Sequence, residues 1–223
     1  MANKHIKAVL FDLDGTLLDT HELILASMRY ATREVLGEEI PEQRLMRKVG
    51  QPLATQLWEF SHGDASTHEA LLRAYREHNG RFHDGMVRPF EGVRDVLVAL
   101  QQEGYLLGVV TSKRHDLAMR GLSLFGLDAF MQCVVGSDDC DTHKPDPGPV
   151  RLGATLLGAG PDECFYVGDS PYDIQAGNAA GAITVAALWG MFAPEELVAE
   201  GPAYCCPKIT DTPKVLKQAV SEG

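Results

Sequence analysis

Five short apolar runs, separated by segments with helical periodicity, are the feature that most constrains how this chain can fold. The runs lack the alternation of apolar and polar residues typical of a half-exposed strand, so they suit strands covered on both faces. They are Ile6 to Phe11, Tyr105 to Val110, Met131 to Val135, Cys164 to Val167 and Ala182 to Leu188. Helical patterns between them cover Val93 to Glu103, His115 to Phe125, Pro149 to Leu157 and Tyr172 to Ala180. This alternation predicts a parallel α/β sheet.

One region interrupts the alternation. From about Leu18 to about Asp84 the sequence has helical periodicity and no convincing strand, which predicts a helical insertion. Gly15-Thr16 precedes the insertion, and Asp84-Gly85 and then Arg88-Pro89 follow it, so glycine and proline mark both ends as hinges.

The charge balance and the apolar segments exclude two classes of partner. The 223 residues include 31 acidic and 20 basic side chains, a formal charge of -11, which disfavours binding to nucleic acid or to an anionic membrane. No apolar run reaches the length of a membrane span. The five cysteines form no C-x-x-C pair, so free thiols in a reducing compartment are expected. We predict a cytoplasmic protein, either a monomer or a weak homodimer.

Polar residues follow four of the predicted strands, at the edge where open α/β sheets bind ligands. They are Asp12-Leu13-Asp14-Gly15-Thr16, Thr111-Ser112-Lys113, Lys144-Pro145-Asp146 and Gly168-Asp169-Ser170-Pro171-Tyr172-Asp173. D-L-D-G-T is rarely met by chance, whereas each of the other three segments alone is a common strand end or turn. Their joint order is what indicates a catalytic site.

These residue types suit phosphoryl transfer. A carboxylate such as Asp12 that attacks a phosphoryl dianion is repelled by it, so cations are required. Asp12 and Asp169, with a backbone carbonyl near Asp14, could hold Mg2+, which prefers hard oxygen ligands. Lys144 supplies a second positive charge, and Asp173 is expected to support the metal from behind.

The remaining polar groups have roles around the phosphoryl group. Thr111, Ser112 and nearby backbone N–H groups can donate hydrogen bonds to its oxygens, together with Lys144. Asp14 is then free to protonate the leaving oxygen and later to activate the water that hydrolyses the phospho-aspartate on Asp12.

In this order, D-L-D-G-T, the strand-end Thr111, Lys144 in K-P-D-P and G-D-S-P-Y-D resemble the four motifs of the haloacid dehalogenase superfamily. The resemblance runs over nearly the whole chain. It implies a Rossmann-like parallel sheet core with helices on both faces, formed by residues 1–17 and 85–223. It also implies an inserted all-helical cap, residues 18–84, that closes over the substrate.

Departures from related groups narrow the activity that the resemblance implies. True dehalogenases lack the second aspartate, so Asp14 favours phosphoryl chemistry. Phosphonatases usually replace that aspartate and use a cap lysine, and Lys48 is the one lysine of the insertion. β-Phosphoglucomutases have a cap histidine about ten residues after the second aspartate, where this chain has Ile24, and His21 lies one helical turn earlier. A phosphomutase and a catalytically silent phosphate-binding regulator remain the alternatives.

Among phosphatases the chain most resembles the phosphoglycolate phosphatases and the related bacterial pyrophosphatases. The segments Y-R-E-H-N and P-F-E-G-V, which begin at Tyr75 and Pro89, are especially similar to the pyrophosphatases. The V-G-Q-P-L segment from Val49 resembles a cap loop that such enzymes lower onto the substrate. His21, Arg47 and Gln51 are therefore candidate specificity residues. The expected substrate is a small phosphorylated anion: pyrophosphate, phosphoglycolate or a sugar phosphate.

Overall fold

The five apolar runs form strands of one parallel sheet in a computed structural model, which describes residues 6–222. The strands are β1 (Ala8–Phe11), β4 (Leu106–Val110), β5 (Cys133–Val135), β6 (Cys164–Gly168) and β7 (Ile183–Ala187). Their ends lie within two residues of the predicted ones. With an edge strand at Tyr204–Cys206, β8, the strand order is β5-β4-β1-β6-β7-β8, and every neighbouring pair is parallel. The predicted parallel α/β sheet is confirmed.

A sixth strand, β8 (Tyr204–Cys206), pairs with β7 at one edge of the sheet. The sequence does not reveal this strand, because it has three residues, of which Cys205 is exposed and Cys206 is buried. So short a segment, half exposed, gives no continuous apolar run.

Helices cover both faces of the sheet. They are α5 (Val93–Gln102), α6 (His115–Leu124), α7 (Gly148–Leu156), α8 (Pro171–Ala180), α9 (Pro194–Ala199) and α10 (Thr212–Glu222), with 3-10 turns at Asp128–Phe130, Pro161–Glu163 and Ile209–Asp211. Alternate side chains of β1 lie on opposite faces of the sheet and belong to two different cores. Val9 and Phe11 pack with α5, α6 and α10, whereas Ala8 and Leu10 pack with α7 and α8.

The helical insertion contains α1 (His21–Leu36), α2 (Glu42–Met46), α3 (Leu53–Trp58) and α4 (Ala65–Met86). Helix α1 ends at Gly37, whose φ of 68° satisfies a left-handed cap, and Asp64 caps α4 by accepting from the Thr67 N–H at 2.7 Å. Buried residues of α1 and α4, including Met28 and Leu71, form a core separate from those of the sheet. The division of the chain into a core domain and a cap domain remains a prediction.

Two details of the insertion differ from the sequence analysis. Leu18–Asp19 is a strand, β2, which pairs antiparallel with β3 (Arg88–Pro89), although no strand was expected there. Two residues are too few to produce a periodic pattern. Helix α4 also runs through Asp84 and Gly85 to Met86 instead of breaking at the expected hinge. This short ladder therefore pairs the segment that enters the insertion with the segment that leaves it.

None of the helices between residues 6 and 222 combines the length and the apolar character needed to cross a bilayer.

Two glycine-to-alanine substitutions test these helices. Gly85 is exposed within α4 and an added Cβ would meet no atom within 4 Å, so Gly85→Ala should raise the free energy of unfolding by about 0.5–1 kcal/mol. In α7 a Cβ on Gly153 would lie 2.8 Å from Cγ2 of Val110, so Gly153→Ala should lower it by about 1–3 kcal/mol. Urea unfolding measures both. A loss of stability in Gly85→Ala would mean that this position needs glycine for a hinge.

Candidate active site

Three buried carboxylates meet at the carboxyl ends of the central strands. Asp12 follows β1 directly, Asp169 follows β6, and Asp173 lies in the first turn of α8. One oxygen of each lies within 4.8 Å of the others. Because β1 and β6 are neighbours in the sheet, the ends of these two strands bring the first and last motifs together.

The ammonium group of Lys144 joins two of these carboxylates. Its Nζ lies 2.7 Å from Oδ1 of Asp12 and 2.5 Å from Oδ1 of Asp173, and its side chain is only 1% exposed. Burial alone would lower the pKa of Lys144, but the charges of Asp12 and Asp173 outweigh it and raise that pKa. Lys144 is therefore positively charged at every physiological pH.

Asp173 is fully engaged by protein donors. Besides Lys144, its Oδ1 accepts from the Tyr166 hydroxyl at 2.8 Å, and its Oδ2 accepts from Oγ and N–H of Ser170 at 2.5 and 3.1 Å. Ser170 in turn caps α8, so this capping box fixes the carboxylate. With both oxygens occupied, Asp173 is placed to orient Lys144.

The Asp169 carboxylate is held from two sides. Its Oδ1 accepts from the Thr16 hydroxyl at 2.9 Å, and its Oδ2 accepts from the Met191 N–H at 2.8 Å. Gly15 has a φ of 87°, and a Cβ there would lie 2.1 Å from Oδ2 of Asp169. Position 15 therefore requires glycine both for its backbone conformation and for this close approach.

The cluster has more negative than positive charge. Three buried carboxylates are accompanied by one ammonium, which contacts two of them. Burial raises the pKa of Asp12 well above its usual range; Lys144 opposes this rise, and the charges of Asp173 and Asp169 add to it. Burial, and then the charge of Asp173, raise the pKa of Asp169 to about 7. Within residues 6–222 no donor bonds the second oxygen of Asp12. Hard oxygens with excess charge in a buried cluster fit a divalent cation such as Mg2+.

Asp14 is paired with Lys113, a residue for which the sequence alone predicted no role. Lys113 Nζ lies 2.6 Å from Oδ1 of Asp14, and their side chains are 11% and 18% exposed. Lys113 belongs to the Thr111-Ser112-Lys113 segment, but a lysine after a strand end is normally a solvated surface cation. The pairing of Asp14 with Lys113 depends on β4 lying next to β1 in the sheet, and the order of the strands along the chain does not specify that they are neighbours.

Thr111 and Ser112 follow β4, where the site meets the insertion. Thr111 is buried, and its Oγ1 accepts from the Lys113 N–H at 3.2 Å. The Ser112 hydroxyl donates to the Gly50 carbonyl of the V-G-Q-P-L loop at 2.6 Å. A Cβ on Gly50, whose φ is 99°, would lie 2.7 Å from Oγ of Ser170 and 3.0 Å from the Tyr172 ring. The loop is therefore seated on the fourth motif, and the role of Ser112 toward phosphate remains a prediction.

The three specificity candidates lie around the same loop and helix α2. Arg47 pairs with Glu59 at 2.7 Å, and His21 Nε2 lies 3.8 Å from Glu42. Gln51 accepts a hydrogen bond through its backbone carbonyl. His21 and Arg47 line a groove of about 890 Å³ between α2 and residues 191–196. Among the residues that the structure describes, no ion pair or hydrogen bond joins any of the three to the carboxylates, so their role remains a prediction.

Comparisons with known proteins agree on one family. Residues 9–187 match the model of the haloacid dehalogenase-like hydrolases. A PpaX protein of Caldanaerobacter subterraneus subsp. tengcongensis is 41% identical over 212 residues, 95% of each chain. Pyrophosphatase PpaX of Bacillus velezensis is 38% identical over 211 residues, 95% of this chain and 96% of that one.

A solved structure has the same fold. The crystal structure of a predicted phosphoglycolate phosphatase from Haemophilus somnus superposes with a TM-score of 0.86 at 24% identity, over 97% of this chain and 99% of that one. At this identity the likeness supports the fold alone.

The raised pKa of Asp169 gives the metal-free protein a pH-dependent stability. The folded state keeps a proton on Asp169 up to about pH 7, whereas an unfolded chain releases it near the ordinary value of 3.8. Stability therefore falls as the pH rises from about 4 to 7, by about 2–4 kcal/mol from this group. Urea unfolding in a chelator should show this slope, and Asp169→Asn should reduce it, leaving the part that the raised pKa of Asp12 contributes. Equal slopes in both proteins would contradict the assignment.

Proposed function

Because this chain belongs to the haloacid dehalogenase-like hydrolases, we propose that it is a Mg2+-dependent phosphatase acting through Asp12, with pyrophosphate as its leading substrate. The observation that carries the proposal is the arrangement at Asp12. One of its oxygens is held by the buried Lys144 ammonium, and the other accepts no hydrogen bond from residues 6–222. A carboxylate fixed at one oxygen and free at the other is prepared to act as a nucleophile.

The reaction has two displacements on phosphorus. In the first, the free oxygen of Asp12 bonds to phosphorus, the bond from phosphorus to the leaving oxygen breaks, and Asp14 gives its proton to that oxygen. In the second, a water molecule gives its proton to Asp14 and its oxygen bonds to phosphorus, which releases phosphate and restores the Asp12 carboxylate. One carboxyl group thus serves both proton transfers.

Asp12, Asp169 and a backbone carbonyl near Asp14 would hold Mg2+. When bound, the ion neutralises charge on the phosphoryl oxygens and offsets their repulsion by the carboxylates. Asp173 acts behind them, because both of its oxygens are taken by Lys144, Tyr166 and Ser170.

Protein donors hold the other phosphoryl oxygens. Thr111 and Ser112 follow β4 and Lys144 follows β5, so with Asp12 after β1 they come from the ends of three strands and together surround a group that Asp12 can reach. For Lys144 the role follows from a fixed position, since its side chain cannot turn to solvent. Donors held in place before the reaction stabilise charge that develops during it.

Pyrophosphate leads because the Bacillus velezensis relative named pyrophosphatase, 38% identical, matches 95% of the chain, including the insertion. Phosphoglycolate is the second candidate, from the resemblance of the motifs. A phosphomutase is disfavoured, because Ile24 is buried in the apolar core of the insertion and His21 lies toward Glu42. A silent binding protein is disfavoured because Asp12, Asp14 and Lys144 are all present. The cytoplasmic location and a monomeric or weakly dimeric state also stand as predictions.

Replacing the nucleophile tests the covalent route. Asp12→Asn should lower kcat at least about 10³-fold with every substrate, because an amide cannot form the phospho-aspartate. Phosphate release is measured with Mg2+ from pyrophosphate, 2-phosphoglycolate and glucose 6-phosphate in parallel. Asp116→Asn, on the surface of α6, is the matched control and should retain activity. Surviving turnover in Asp12→Asn would contradict the mechanism, and a lead for phosphoglycolate would replace the substrate.

Metal removal tests the cation site separately. Activity should vanish in a chelator and return on addition of Mg2+. Asp169→Ala should need a Mg2+ concentration at least about tenfold higher for half-maximal rescue, because one carboxylate ligand is lost. Titration of rescued activity against Mg2+ measures the shift. Full activity after complete metal removal would overturn the site.

A further inference from the structure

Lys113 is a largely buried cation that has no role in the two displacements of the proposed reaction. Its backbone is fixed on both sides: its N–H donates to Oγ1 of Thr111 at 3.2 Å, and its carbonyl accepts from the Ser137 N–H at 2.8 Å. Its one ion pair among residues 6–222 is with Asp14, at 2.6 Å. The side chain retains 11% exposure, unlike the 1% of Lys144, so it borders the open part of the site.

This position lies beside the leaving group. Asp14 transfers its proton to the oxygen that departs from phosphorus, so that oxygen must come within hydrogen-bond distance of the Asp14 carboxyl group. An ammonium group 2.6 Å from the same carboxyl group then lies next to the departing group. Lys144, by contrast, contacts Oδ1 of Asp12, the residue that attacks phosphorus from the side opposite the leaving group.

We propose that Lys113 is a specificity residue that selects substrates whose leaving group is itself an anion. The proposal rests on the proposed function, because it needs Asp14 at the leaving oxygen. It names a class of substrate: a phosphoryl group joined to a second phosphate or to a short carboxylate.

The charge balance of the first displacement explains the selection. When the bond from phosphorus breaks, its electron pair stays on the leaving oxygen, which takes the proton of Asp14. The departing molecule is then phosphate or a hydroxycarboxylate, and it carries negative charge next to the Asp14 carboxylate that has just formed. Lys113 balances this charge, whereas an uncharged sugar needs no such cation.

Substituting Lys113 tests the proposal through a ratio of activities. In Lys113→Met, kcat/KM for pyrophosphate or 2-phosphoglycolate should fall on the order of 10²–10³-fold, and that for glucose 6-phosphate by less than about tenfold. Lys113→Arg keeps the charge and should recover much of the ratio. Lys217→Met, which removes a surface pair with Glu103, is the control and should leave all three values unchanged.

The outcomes separate the two proposals. A selective loss with pyrophosphate assigns Lys113 to a leaving phosphate, and a selective loss with 2-phosphoglycolate assigns it to a carboxylate. Equal losses with all three substrates in a folded Lys113→Met protein, checked by thermal melting, would overturn the selection and leave Lys113 as a support for Asp14. Failure of the proposed function appears differently, as no phosphate release by the unaltered protein with any of the three.

Discussion

The buried pair of contacts made by Lys144 is the interaction on which the site depends. Its ammonium links Asp12, at the end of β1, to Asp173, at the start of α8. Lys144 itself lies in a different segment, the loop between β5 and α7. Charges with almost no access to water are tolerated only when each is paired and hydrogen-bonded. Here Tyr166 and Ser170 complete the shell around Asp173, so the network is satisfied on that side. Asp12, the proposed nucleophile, is thereby positioned by contacts that do not involve substrate.

The same network is incomplete on the side of Asp12 and Asp169. Three carboxylates against one ammonium leave excess negative charge, in a protein whose formal charge is already -11. A phosphate anion approaching that cluster meets repulsion of several kcal/mol even at an effective dielectric constant near 20. A divalent cation would reverse the local balance, so the charges of the protein itself support the proposed role of a metal. The raised pKa of Asp169 expresses the same imbalance in the metal-free state.

The sequence predicted the core much better than the contacts of the insertion. Parallel strands covered on both faces leave continuous apolar runs, and the carboxyl ends of neighbouring strands must meet, so the places of Asp12, Lys144 and Asp169 followed from strand order. The ladder of β2 and β3 and the edge strand β8 were missed because two or three residues carry no period. Lys113 was given no role because its partner, Asp14, lies 99 residues away. Contacts of the insertion depend on how helices dock, which no local pattern encodes.

The seating of the insertion explains why specificity can depend on groups from both parts of the chain. Gly50 approaches Ser170 and Tyr172 so closely that a Cβ would collide, and Ser112 donates to its carbonyl, so the loop meets the second and fourth motifs at once. Closure of this kind excludes water, and in a drier site each charge interacts more strongly. The two lysines then act under different conditions. Lys144 is fixed and buried by its contacts within the protein, whereas the proposed role of Lys113 places it at the partly exposed boundary of the site, where the leaving group would fit.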